Sequence, residues 1–195
     1  LGGGSEAFAI HVKGLELPGY EPRSLKTLAL GLAVSPRGAC HNRSGAYEAD
    51  FSGRVDRFRG SADRGGIVVA SEDFSAVLDS LVVCKFLRRC FSDFYAESAQ
   101  ILNTVTGWSL SAEDLRRVGE RVITIKKLFN IREGWRSEDD WLPERLLTET
   151  LSDGPAQGSY LTPLELQEMI YGYYSARGWD EKGIPMRAKR AELSL

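Results

Sequence analysis

Helix punctuation constrains this chain more than any other feature. The stretch Ser111–Ile131, SAEDLRRVGERVITIKKLFNI, opens on a serine with Asp114 three residues on, a capping-box arrangement with Asp in place of the usual Glu. Leu115, Val118, Val122, Ile125 and Phe129 then recur at helical spacing, a stripe expected to face the core. LTPLELQEMIYGYYSARG offers Thr162 as N-cap, Pro163 at the first helical position, Glu165 to complete a box and Gly178 as a stop. A further helix reads from Ser92 to a stop at Gly107. SEDFSAVLDSLVVCKFLRRCF, from Ser71 as N-cap, places Phe74, Val77, Leu78, Leu81, Val82, Lys85 and Phe86 at helical steps, most of them expected in the core. A shorter helix spans Ser24 to about Val34.

No alternating strand pattern competes over a comparable length, and no internal repeat appears. The expectation is a mainly α chain: a single irregular helical domain over residues 1–195. Residues before Pro22 read as loop, as do 50–70. The stretch after the third long helix reads as an extended loop with one brief helical turn, its Glu138-Asp139-Asp140 run solvated. Pro36 and Gly38 force the chain out of helix, so Cys40 and His41 sit on or just after a turn.

A chain of 195 residues suits one sizeable domain, or at most two small ones. With 25 basic and 27 acidic residues, it shows no charge bias toward nucleic acid or an acidic membrane. The longest apolar run is interrupted by Asp79 and Lys85, well short of a membrane span. The start lacks a basic region followed by an apolar one, so no signal peptide is expected. Three cysteines without C-x-x-C spacing argue against a disulfide scaffold and for a reducing cytoplasm. Nor do sequence neighbours supply an all-cysteine or cysteine–histidine zinc site.

The chemistry-bearing residues leave alternatives open on their own. Arg37–Arg43, RGACHNR, reads as a nucleophilic pair, a metal site, an anion-binding turn or a polar loop. Adjacent Cys40 and His41 point apart in an extended turn, which favours a surface histidine beside a buried cysteine over a dyad. Cys84, within an apolar run, reads as a small core hydrophobe. Asp79, flanked by Val77, Leu78, Leu81 and Val82, has to find a partner or solvent. A cysteine-dependent hydrolase would require Cys40 or Cys84 as a reactive thiolate.

Six blocks in order, HVKGLELPGYEPR, GLAVSPRGACHNR, DSLVVCKF, TGWSLSAEDLRRVGERVITIKKLFNIREG, DDWLPERL and YYSARGWDEKGIP, resemble the C-terminal third of the aldehyde ferredoxin oxidoreductase family. These enzymes carry a tungsten (sometimes molybdenum) bis-pterin and a [4Fe–4S] cluster. The resemblance runs from about His11 to Pro185. It implies that Asp79-Ser80-Leu81-Val82-Val83-Cys84 stands for the family's D-x-x-G-L-C motif, with Val82 and Val83 in place of its glycine and leucine. Asp79 would then contact a pterin, and Cys84 would supply the fourth cluster ligand. His41 matches the histidine of an RG-x-x-H block near the metal, a candidate for handling substrate oxygen or protons. Arg37 and Arg43 would be placed to steady pterin phosphates.

The family's C-x-x-C-x-x-x-C run, which gives the other three cluster ligands, is absent here, as is its N-terminal pterin-saddle domain. The resemblance therefore implies the third, helical domain of a larger cytoplasmic enzyme, inactive alone and partnered by the remaining domains. That enzyme would oxidise an aldehyde substrate with water to a carboxylic acid and pass electrons to ferredoxin or a similar acceptor. Its apolar docking surface would favour self-association, including a homodimer. The rival reading is a non-catalytic helical interaction module that keeps the scaffold.

Overall fold

Helix α1 (Lys26–Val34) has every residue buried. A helix apolar on nearly all sides can only be a central one. The computed structural model describes residues 3–5 and 8–195. Around α1 stand α4 (Arg64–Ser80), α6 (Ala112–Arg132) and α8 (Pro163–Arg177), with α4 packed on both α6 and α8. Helix α5 (Phe94–Thr106) lies against α6. The short helices α2 (His41–Ser44), α3 (Tyr47–Phe51), α7 (Glu144–Thr148) and α9 (Arg187–Glu192) fill the connections. An antiparallel hairpin, β1 (His11–Val12) with β2 (Leu15–Glu16), pairs Val12 with Leu15 and precedes the helices. The mainly α expectation holds. One core surrounds α1 and α8, and a smaller one gathers Val77, Leu78, Phe94, Ala99 and Leu115.

Both ends of the buried central helix carry a charge of the right sign. The carboxylate of Asp50, itself buried, accepts from Thr27 N and Leu28 N at 3.1 and 2.9 Å, where α1 has no capping side chain of its own. At the other end Lys13 Nζ donates to Ala33 O and Ser35 O at 2.6 and 3.1 Å. Acid at the N-terminus and base at the C-terminus match the helix dipole. The crossing of α6 over α4 is close enough that a Cβ on Gly119 would lie 2.5 Å from Asp73 O.

Two polar networks run through the core. Arg177 of α8, wholly buried, meets Glu72 at 2.8 Å and Asp73 at 2.6 Å on α4, while Tyr173 OH donates to Glu72 at 2.6 Å. In the second, Asp140 accepts from Lys13 and Lys127, each at 2.7 Å, from Tyr174 OH at 2.8 Å and from Trp135 Nε1 at 3.0 Å. Burial pushes the Lys127 ammonium down to about 8 despite the Asp140 charge.

Several local expectations are corrected. Residues 64–70, read as loop, form the first two turns of α4, so Ser71 is interior and the helix begins at Arg64. Helix α4 then stops at Ser80 instead of running on through Cys84, which is exposed rather than a core residue. On α6, Val118, Ile125 and Phe129 are exposed, while Gly119, Ile123, Thr124 and Lys127 are buried beside Leu115. Asp140 is the hub of a buried network, not a solvated loop residue. The expected caps at Ser111, Gly107, Thr162 and Gly178 are all present. Glu165, however, turns its side chain to Gly60 N and Lys26.

Candidate functional site

Helix α4 ends in a complete Schellman turn. Val83 N donates to Leu78 O and Val82 N to Asp79 O, both at 3.1 Å. Val83 and Leu78 share the smaller core, the apolar contact that accompanies this motif. The residue between them must take the left-handed conformation, and Val82 does so at φ 56. A β-branched side chain there is rare and strained, and Val82 is 90% exposed, so nothing it touches repays the strain. The turn has a clear geometric result. Asp79 lies in the last turn of the helix, and Cys84 leaves on the far side of the reversal in extended conformation (φ −59, ψ 131), opening a 3-10 turn at Lys85–Arg89.

Both groups are accessible. The Asp79 side chain is 41% exposed and the Cys84 thiol is free and exposed. Asp79 Oδ2 takes a hydrogen bond from Arg43 Nη1, and Oδ1 has no partner among the described residues. A carboxylate with one oxygen open suits N–H donors of a heterocycle, and a free thiol suits a metal cluster. No group of three or more His, Cys, Asp or Glu side chains among the described residues forms a metal site by itself.

His41 arrives from the other side. After α1 the chain turns at Gly38 (φ 95), with Asn130 Nδ2 holding Pro36 O at 2.7 Å. Cys40 is buried, and His41 opens α2, which Gly45 closes in left-handed conformation (φ 62). The imidazole sits 5.4 Å from the Tyr20 ring and 6.0 Å from Tyr47, and neither ring nitrogen has a hydrogen bond among the described residues. Burial first, and then the nearby Lys85 charge, hold His41 below the usual histidine range, so it is neutral at neutral pH.

Helix α2 packs on α4, and two side chains whose partners are not foreseen from sequence tie the His41 helix to the Asp79–Cys84 turn. Arg43, two residues after His41, pairs with Asp79. Lys85, next to Cys84, donates to Asn42 O. The turn is further fixed by Arg88, which donates to Glu48 Oε1 and to Lys85 O, each at 2.7 Å. Arg37 is exposed, with no partner among the described residues. No sequence signal distinguishes Lys85 as a tie; its neighbour Cys84 is the only pointer.

The sequence pattern described as aldehyde ferredoxin oxidoreductase, domains 2 and 3, matches residues 1–195. The chain is 33% identical, over 98% of its length and 32% of theirs, to the tungsten-containing aldehyde ferredoxin oxidoreductases of Thermococcus kodakarensis and Pyrococcus furiosus. It is 25% identical to the WOR-like subunit of an aliphatic sulfonate oxidoreductase of Pyrococcus furiosus, over 96% of this chain and 28% of that one. It thus spans about a third of the length of the curated relatives it matches. In fold it is similar to a chain of the BamBC active-site complex of benzoyl coenzyme A reductase, with TM-score 0.56 and 23% identity over 68% of this chain and 19% of that one.

Proposed function

This chain belongs to the aldehyde ferredoxin oxidoreductase family, and from that premise we propose that it forms one wall of a tungsten–pterin and [4Fe–4S] redox centre in a larger aldehyde-oxidising enzyme. The observation that carries the reading is the Schellman turn, which sets the Asp79 carboxylate and Cys84 thiol on accessible surface beside the helix bearing His41. In this reading the chain is the third, helical domain. The pterin saddle and the three other cluster cysteines come from outside residues 1–195, because this sequence has only Cys40, Cys84 and Cys90.

The roles are those that the family resemblance implies, and the side chains suit them. Asp79 offers its open oxygen to a pterin N–H, while Arg43 holds the other oxygen and fixes the carboxylate plane. Cys84 is the fourth ligand of the cluster. When bound, tungsten (or molybdenum in its place) on the pterins supplies the two-electron oxidation of an aldehyde with water to a carboxylic acid. His41, neutral at working pH, accepts a proton at a ring nitrogen and releases it to solvent. The cluster that Cys84 would help to hold would supply electron transfer to ferredoxin or a similar acceptor.

The test is aldehyde-dependent dye reduction by an assembly of this chain with the saddle and three-cysteine regions. His41→Gln should lower kcat by roughly 10²- to 10⁴-fold, the span of general acid–base catalysis, with tungsten content unchanged. An assembly that holds tungsten and oxidises no aldehyde would refute the reading.

A further inference from the structure

Behind the Cys84 turn the fold builds a second concave site. The C-cap of α2, helix α3, one face of α4 and the 3-10 turn enclose a cleft of about 330 Å3. Neither Asp79, Cys84 nor His41 lines it. Three cations of the turn, Lys85, Arg88 and Arg89, face a single acid, Glu48, which Arg88 neutralises at 2.7 Å. Lys85 and Arg89 therefore have no carboxylate partner among the described residues.

Lys85 is the informative one. Its side chain is partly withdrawn from water, and its ammonium donates only to Asn42 O, which leaves further N–H donors to satisfy. Taking a charge out of water is unfavourable, and the nearest carboxylates, Glu48 and Asp79, are paired to Arg88 and Arg43 and make no ion pair with it, so an anion in the cleft would complete its partners. The Ser75 hydroxyl belongs to a residue 3% exposed and makes no hydrogen bond among the described residues. Both groups converge on the open side of Gly45, since a Cβ there would lie 3.5 Å from Lys85 Nζ and 3.9 Å from Ser75 Oγ. Ala70 and Phe74, on the same helix as Ser75, add apolar lining.

We propose that this cleft is a binding site for a short-chain monocarboxylate. The carboxylate accepts from Lys85 and Ser75, the Arg89 charge at the mouth attracts it, and the alkyl tail lies on Ala70 and Phe74. The assignment rests on these residues alone and does not depend on the redox reading.

The test is an amide-shift NMR titration of the 195-residue chain with acetate, propionate and butyrate at fixed ionic strength. Propionamide and inorganic phosphate serve as comparators. Saturable shifts at Gly45, Ser71 and Ser75 are expected with propionate and butyrate, and none with propionamide. Affinity should fall about tenfold or more in Lys85→Met, the loss of a charge-assisted hydrogen bond. Ser75→Ala should weaken it less and keeps the test decisive if Lys85→Met does not fold. Shifts that never saturate, that survive both substitutions, or that saturate more tightly with phosphate would overturn the assignment.

Discussion

Arg43, two residues after His41, donates to the Asp79 carboxylate at the end of α4. One ion pair thus joins the two segments of the candidate site, and its partners are 34% and 41% exposed. At that exposure an ion pair contributes little to folding, on the order of 0.2–1 kcal/mol. Its role is geometric.

Accordingly, a double-mutant cycle of Arg43→Gln and Asp79→Asn in urea should give a coupling below about 1 kcal/mol. A coupling well above that would make the pair a support of the fold rather than of the site.

Val82→Gly should stabilise the chain. The left-handed conformation costs an L-residue roughly 1–2 kcal/mol, and glycine's extra unfolded-state freedom costs about 0.5–1 kcal/mol. Since Val82 is 90% exposed, almost no burial is lost, and a net gain of about 0.5–1 kcal/mol is expected in urea unfolding. A loss of stability would mean the turn is not left-handed at this residue.

Two glycine-to-alanine changes should have opposite signs. Gly66→Ala, with open space around its Cβ position within α4, should stabilise by about 0.5–1 kcal/mol. Gly119→Ala gains the same helix propensity but drives a Cβ into Asp73 O at 2.5 Å, and overpacking at about 1–3 kcal/mol wins. Thermal or urea unfolding of the two variants decides it.

Asp140→Asn should destabilise by about 3–5 kcal/mol, because it leaves Lys13 and Lys127 without their shared carboxylate inside the core. A urea midpoint close to that of the unsubstituted chain would contradict the network.

His41 should titrate below the ordinary histidine range in a proton NMR titration. Burial is the larger cause and Lys85 the second, so Lys85→Met should raise it. The Tyr20 and Tyr47 rings also lie against it. Because the depressed value belongs to the folded state, the unfolded chain binds more protons between that value and about 6.5. His41's contribution to stability is therefore present above about pH 6.5 and is lost as pH falls through that window. A titration at or above the usual range would remove the neutral-imidazole role.

What the sequence disclosed and what it hid have distinct physical causes. Ser111, Thr162, Gly107 and Gly178 act through their own backbone neighbours, so local reading places them correctly. The start of α4 is hidden because Gly65 and Gly66 look like a loop. Gly65 is instead required where α4 crosses the Gly172–Tyr173 backbone of α8. The true buried face of α6 escapes a hydrophobic pattern because it includes Gly119, Thr124 and Lys127, the last matched by Asp140 from the connection that follows α6. At the site, valine in a position that suits glycine gives no stop signal, so the helical spacing runs on through Cys84 in the sequence. His41, Asp79 and Cys84 stood out through the resemblance. Arg43 as a partner for Asp79, and Lys85 as a tie to α2, need the fold.

The measurement that tests the central claim most directly is the iron content and EPR spectrum of the reduced assembly carrying Cys84→Ser, compared with Cys90→Ser, the other exposed thiol. The account predicts loss of iron or a changed cluster signal for Cys84→Ser and an unchanged cluster for Cys90→Ser. A full, unaltered cluster in Cys84→Ser would contradict it and remove Cys84 as a cluster ligand.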